Sequence, residues 1–250
     1  MEKIEEKLKK IKDDFDNYLK DIDSLTHMGD DVGNVIVSLL ESLKKDYIDI
    51  PGFIPFKEKL DRTIEIIENI KDHPSLKEKY KIIYNQATVL VVANFESFMS
   101  NLFRILIDYS PEKINWPEKK KIAVDLSLLK YSSPSVGDLI VKSLKGDINF
   151  QDWQSTLRFL KEYLNIDISE KISRDNQDRI ILYQAMRHII IHNSAVIDPD
   201  FIKQIRSTKF YNKYKDEEGK KVQFDEKSYK AARELFSKIV NLIVENLPKN

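Results

Sequence analysis

The segment RHIIIHN at positions 187–193 places three ionisable side chains among isoleucines, in the most hydrophobic stretch of the chain. Two of the four histidines of the protein lie in this segment. An ionisable group on a buried helix costs free energy unless it is paired or used. We therefore expect the chemistry of the protein to lie here.

An arginine and a histidine together suit the cleavage of a phosphodiester bond. Histidine exchanges protons near neutral pH, and the arginine fork binds phosphate oxygens while it stays charged. A histidine can take the proton from a ribose 2′-OH as that oxygen attacks phosphorus, while arginine stabilises the charge that develops. This reaction requires RNA, because DNA lacks the nucleophile, and it requires no metal ion.

The polar residues of the segment lie on one side of the predicted helix. At about 100° per residue, Gln184, Arg187, His188 and His192 occupy a band of about 140°. Arg187 and His192 mark its two edges, so they do not converge easily on one small group. They meet if the helix ends just before Asn193, or if two copies pack polar face to polar face across a twofold axis. The sequence leaves both arrangements open.

Two other interpretations apply to the same residues. His188 and His192 lie four positions apart and have the spacing of two metal ligands, but no glutamate follows His188 and no third ligand is recognisable from spacing. In a purely structural role, the histidine would bond a backbone carbonyl and the arginine would pair with a structural acid. The catalytic interpretation is favoured.

Apolar spacings of three and four residues predict helices along most of the chain. Gly29 and Gly33 end the first helix, and Ser173 or Asp175 caps the motif helix. That helix ends near Asn193, because asparagine tolerates the left-handed conformation. The predicted helices cover about 2–24, 35–47, 56–71, 75–109, 117–130, 135–145, 150–164, 175–193, 199–208 and 225–246.

One β-hairpin is predicted near the C-terminus, with strands at Phe210–Tyr214 and Lys221–Phe224 and a tight turn at Gly219. No repeat or long linker divides the chain, so we expect a single domain over 1–250. Within it, 1–73 form N-terminal helices and 111–170 form a helical insert.

The composition favours an all-α fold and limits the kinds of site. The chain has 250 residues, 33% of them charged and only six of them glycine. The absence of cysteine excludes disulfides, thiolate metal sites and cysteine nucleophiles. A net charge of zero removes any bulk attraction to nucleic acid. The longest apolar run, Val89–Ala93, is far short of the ~20 residues that span a bilayer, and the first residues lack a signal-peptide pattern, so we expect a soluble, cytoplasmic protein.

At these residues the sequence resembles the HEPN domain family. RHIIIH fits the R-x4-H signature of the family, with the polar His188 after the arginine and Asn193 after the histidine. An earlier buried helix has the form aromatic-acid-x-aromatic at 95–98, and the chain closes with the predicted hairpin and helix, as in the stand-alone RiboL-PSP group. The resemblance covers about 75–110 and 170–247.

The resemblance implies a HEPN-type helical bundle that dimerises through the helices carrying Arg187 and His192. It implies a metal-independent endoribonuclease without a cofactor, which leaves a 2′,3′-cyclic phosphate and acts as a toxin or antiviral effector. Arg187 and His192 are then the catalytic pair, supported by His188 and Asn193, and an antitoxin or defence-system protein is a further partner. One branch of the family is modified on a tyrosine two residues after the histidine, where this chain has Ser194. A bundle without catalysis, serving as a regulatory module, is the alternative.

Further residues are candidates for supporting roles. Glu96 needs a partner in its apolar helix, and Arg187 is the attractive one, although Glu96 on the face of Ser97, Ser100 and Asn101 would instead meet solvent. A basic segment with aromatic residues follows the motif helix and has the composition of a single-stranded RNA contact, although surface charge explains it equally. Its candidates are Lys203, Arg206, Lys209, Lys213, Tyr211 and Tyr214, while Lys119–Lys121 is interpreted as a solvated helix start.

Overall fold

The computed structural model describes residues 2–47, 54–72, 74–116, 134–144 and 148–247. These residues form an all-α structure with two short 3-10 turns, at Pro111–Lys113 and Ser169–Lys171, and no β-strand lies within them. The helices are α1 (Glu2–Tyr47), α2 (Ile54–Asp72), α3 (Pro74–Tyr109), α4 (Val136–Ser143), α5 (Trp153–Leu164), α6 (Arg174–His192), α7 (Pro199–Gln204), α8 (Tyr211–Tyr214) and α9 (Glu226–Glu245).

The central helix is α3, which α1, α4, α6 and α9 surround. Its second half is apolar nearly all round, and Phe95, Met99 and Leu102 are fully buried. The Phe95 ring contacts the rings of Trp153 on α5 and Phe236 on α9. By length and composition, α3 is apolar enough to cross a membrane, but more than half of its most apolar window is buried inside the protein. This packing is that of a core helix, as its sequence pattern predicts.

The motif helix α6 begins and ends where the sequence predicts. Ser173 caps it by accepting a hydrogen bond from the backbone N–H of Asn176 at 3.3 Å. Its apolar side is buried against α3 and α9, with Ile180 and Ile189 fully covered. Ile189 and Ile190 of the segment therefore hold the helix in the core, whereas Ile191 is exposed, and His192 is the last helical residue.

The predicted break in the first helix is wrong, because α1 continues through both glycines to Tyr47. Gly29 faces α3 at very short range: a Cβ atom there would lie 2.6 Å from the Tyr80 hydroxyl oxygen. Gly33 is buried. Both glycines lie inside the helix, and Gly29 permits a close approach between helices rather than ending one.

The predicted β-hairpin is also wrong. Residues Tyr211–Tyr214 form a single helical turn. The Tyr214 ring packs edge-on against the Phe201 ring, with ring centroids 5.6 Å apart. Lys221 instead forms an isolated antiparallel bridge with Val196, beyond the end of α6. The residues of this segment fit a short helical turn as well as a strand. The packing of Tyr214 on Phe201 of α7 favours the helical turn.

The segment predicted as an insert contributes to the common core. Phe159 on α5 packs edge-on against Phe103 of α3, with ring centroids 4.6 Å apart. The predicted helices at 135–145 and 150–164 correspond to α4 and α5, whereas the one at 117–130, with Lys119–Lys121, lies outside the described residues. The helix beginning at Pro199 ends at Gln204, earlier than expected.

Candidate functional site

The crossing of α3 and α6 brings Glu96 and Arg187 together. The Arg187 Nη2 and Glu96 Oε2 atoms lie 3.5 Å apart, and the two side chains are only 15% and 13% exposed. The first of the two interpretations of Glu96 is thus the observed one. A mostly buried ion pair joins the two helices that carry the sequence motifs.

Burial affects the pKa of Glu96 more strongly than the neighbouring Arg187 charge does. It raises the pKa of Glu96 above the ordinary glutamate value, although the Arg187 charge and an interaction with the Gln151 side chain both act to lower it. The carboxylate is therefore incompletely compensated in its ionised form.

Both partners also keep an unpaired buried atom. Within the described part of the chain, Arg187 Nε and Glu96 Oε1 are buried and have no hydrogen-bond partner. A buried donor without a partner costs about 1–3 kcal/mol, so the Arg187 Nε atom is a candidate position for contact with a ligand or water.

A polar cavity of about 260 Å³ opens beside Arg187. Its wall combines the polar face of α6 with side chains from the segment just before α5 and from the last residue of α7. The lining residues are Asn149, Gln151, Asp152, Ile181, Gln184, Arg187, His188 and Gln204. This cavity has the size and polarity to admit a phosphate group with part of its nucleoside.

The two histidines of the motif lie next to each other at the end of α6. The ring centroids of His188 and His192 are 4.8 Å apart. His188 is half-buried and lines the cavity, whereas His192 is exposed on the last helical residue. Among the residues that the structure describes, no group of three histidine, aspartate or glutamate side chains is placed to hold a metal ion.

Asn193 follows the helix but not in the predicted conformation. Its φ is −132°, and the left-handed residues are Ser194 and Ala195, at φ of 52° and 64°. The Asn193 side-chain amide donates to the Val196 carbonyl oxygen at 2.8 Å. Asn193 thus stabilises the turn that leaves His192 at an exposed end.

The basic segment after α6 is partly engaged within the chain. Lys209 pairs with Asp175 and lies over the Phe210 ring, with its Nζ atom 5.1 Å from the ring centroid. Lys213 lies over the Tyr214 ring at 4.8 Å. Of the remaining candidates, Lys203 and Arg206 are exposed and Tyr211 is half-buried.

Sequence reasoning missed the side chains that the segment before α5 and the end of α7 contribute to the cavity. Asn149, Gln151 and Gln204 carry no periodic or spacing signal, because each lies in a loop or at a helix end remote from the motif. Gln184 was recognisable, since it shares the polar face of α6.

The fold and the site define an all-α protein with a buried arginine–glutamate pair at the edge of a polar cavity. No protein-family model, curated protein or solved structure matches the chain.

Proposed function

We propose that the protein is a metal-independent endoribonuclease of the HEPN type, acting as a cytoplasmic toxin or antiviral effector. The observation that carries the proposal is the Arg187 guanidinium, held by Glu96 at 3.5 Å beside the cavity with its Nε atom unpaired. The proposal assigns Arg187 and His192 as the catalytic pair and Glu96, His188 and Asn193 as supporting residues.

The Arg187 guanidinium can bind a phosphate group beside the carboxylate that it already contacts. Arginine has five N–H donors, and a phosphate accepts two of them in parallel. Glu96 orients the group through a contact at 3.5 Å, which leaves donors for a ligand. In a partly buried site such donors interact strongly with a developing negative charge, and they need little reorganisation.

In the proposed reaction, the ribose 2′-oxygen attacks the adjacent phosphorus as His192 removes its proton. The bond between phosphorus and the 5′-oxygen breaks, and the 5′-oxygen receives a proton from solvent. The products are a 2′,3′-cyclic phosphate and a 5′-hydroxyl. Arg187 stabilises the charge on the non-bridging oxygens, and no oxidant, reductant or metal ion takes part.

The exposed position of His192 supports a site shared between two copies of the chain. Arg187 points into its own cavity with Glu96, while His192 lies exposed at the helix end. A twofold axis beside α6 would carry His192 of one copy to the cavity of the other. Catalysis would then depend on the dimer.

The first prediction concerns cleavage without metal. Purified protein incubated with RNA in EDTA is expected to yield fragments with 2′,3′-cyclic phosphate and 5′-hydroxyl ends, and the same sequence as DNA is expected to stay intact. His192→Ala is expected to lower the rate by about 10²–10⁴-fold, the usual contribution of an acid–base group.

A matched control is His27→Ala, because His27 is a half-buried histidine on α1 to which the proposal gives no role. Wild-type activity in His192→Ala would remove this residue from the site. Cleavage that EDTA abolishes would favour a metal-dependent hydrolase instead.

A second candidate is a HEPN-like binding module without catalysis, whose partner is an antitoxin or defence protein. The existing salt bridge of Arg187 with Glu96 favours it, since a paired guanidinium also serves a purely structural role. A folded wild-type protein that leaves every RNA intact in the same assay would support this candidate.

A further inference from the structure

The second half of α1 exposes a row of large apolar side chains. We name Met28, Val32, Val35, Ile36, Leu39 and Leu43 the α1 stripe. Their exposed fractions are between 41% and 60%. Over residues 27–45, all within the described part of the chain, Gly33 is the only buried residue. This length of helix therefore carries an apolar face that the described residues leave uncovered.

The stripe points away from the helices that hold α1 in place. Asp30 contacts the Tyr80 hydroxyl of α3 at 3.5 Å, and Lys44 pairs with Asp61 of α2. In a heptad that assigns Met28 and Val35 to position d and Val32 and Leu39 to position a, both Asp30 and Lys44 occupy position f. Position f lies opposite the a and d positions, so α2 and α3 cover the far side.

The spacing of the stripe is that of a coiled-coil seam. Met28, Val32, Val35 and Leu39 follow one another at intervals of four, three and four residues, a repeat of 3.5. Helices of soluble proteins rarely expose a contiguous apolar seam of this length without a partner. A seam with this period fits another helix with the same period.

We propose that the stripe pairs with the same stripe of a second copy, antiparallel and across a twofold axis near Val37. This register places Val35 against Leu39 of the partner subunit, and it brings the two Ile36 side chains together at the axis.

Charge complementarity selects this register. Asp31 and Lys45 both occupy position g, and both are exposed. In antiparallel pairs, g positions face g positions, so Asp31 meets Lys45 twice around the axis. A parallel arrangement would leave these opposite charges apart.

The area of the stripe also matches a dimer. Half-exposed aliphatic side chains each leave on the order of 100 Å², so the six leave roughly 600 Å², close to the ~800 Å² per partner of a standard interface. The flanking polar side chains supply the remainder. This inference is independent of the proposed ribonuclease activity.

Sedimentation equilibrium of the full chain tests the pairing. The wild-type protein is expected to associate, and Leu39→Glu is expected to weaken the association by on the order of 100-fold, because it places two like charges in an apolar seam. Val136→Glu is the matched control, since Val136 is 63% exposed on α4 and its change should leave the mass unaltered.

A charge exchange tests the register. Asp31→Lys is expected to raise the dissociation constant by roughly 10-fold, and adding Lys45→Asp in the same chain is expected to restore it. Circular dichroism of each variant checks that the helices persist.

Three results would overturn the proposal: a monomeric wild-type protein at its highest soluble concentration, a Leu39→Glu variant with wild-type mass, or a double exchange that associates no better than Asp31→Lys. An association through α6 survives Leu39→Glu, so it cannot be mistaken for pairing of the stripe.

Discussion

Glu96 illustrates how one buried carboxylate links stability to the proposed chemistry. Its neighbour Arg187 favours the ionised form, yet burial dominates and raises the pKa of Glu96. A raised pKa means that ionisation costs more in the folded protein than in the unfolded chain. At neutral pH, the ionised form of Glu96 is therefore destabilised by its burial. It lies beside the Arg187 guanidinium, whose Nε donor has no hydrogen-bond partner.

Replacing Glu96 with glutamine removes this titration, and the sign of its effect follows from the raised pKa. The stabilising contribution of Glu96 relative to glutamine is fully present below the ordinary value of 4.5 and is lost as pH rises through the raised pKa. Urea unfolding of both proteins is measured from acid to neutral pH. As the pH rises above that value, the free energy of unfolding of the wild type is expected to fall relative to that of Glu96→Gln.

The control for this series is Glu112→Gln, because Glu112 is exposed on the turn after α3. If the free energy of unfolding of the wild type instead rose relative to that of Glu96→Gln with rising pH, the Arg187 charge would outweigh the effect of burial. That result would contradict the raised pKa of Glu96.

At the level of single residues, the sequence offers the Arg187–Glu96 pair as one of two interpretations of Glu96, and it does not predict the surroundings of the pair. An acid in an apolar helix needs a cation, and Arg187 is one, but burial cost alone does not decide between this pairing and a solvent-facing glutamate. Gln151 and Gln204 reach the cavity from loops and helix ends, where no periodicity marks a direction.

Among the helices, the contact between α3 and α4 depends on a missing side chain. Gly137 in the first turn of α4 donates its backbone N–H to Asp108 at 2.7 Å. A Cβ atom there would lie 2.6 Å from the Arg104 carbonyl oxygen, which is backbone and cannot rotate away. The helix would have to move from α3 to accept any larger residue.

Gly137→Ala is therefore expected to lower the free energy of unfolding by about 1–3 kcal/mol, despite the higher helix propensity of alanine. Urea denaturation measures the change. Val136→Ala, at an exposed neighbouring position, should change it by less than about 0.5 kcal/mol. An unchanged or more stable Gly137→Ala protein would show that α4 does not need this close contact.

The helices that periodicity marks strongly are those that the sequence predicts well. The boundaries of α3, α6 and α9 lie close to the predicted ones, because a buried helix needs apolar residues at regular spacing and a capping residue at its start. The predicted break in α1 is wrong because Gly29 allows α1 and α3 to approach closely instead of ending the helix. The predicted hairpin is wrong because Tyr214 packs on Phe201 as part of a helical turn.

For the whole molecule, the all-α class predicted from the sequence is confirmed, while the dimer expected through the Arg187 and His192 helices stays a prediction. Position along a helix shows that Arg187 and His192 diverge, while only the fold shows which surfaces α2 and α3 leave open. The two expected contacts between copies involve separate residues, the end of α6 for catalysis and the α1 stripe for pairing.

The shared site is the central claim, and a mixed dimer tests it most directly. Arg187→Ala and His192→Ala chains with different affinity tags are co-expressed, and the dimer containing one of each is purified and assayed with RNA in EDTA. Each variant alone is expected to be inactive, because both of its sites lack a catalytic residue. The mixed dimer has one site with an intact Arg187 and an intact His192, so about half of the wild-type activity is expected. An inactive mixed dimer, beside a wild-type protein that cleaves RNA, would contradict the shared site.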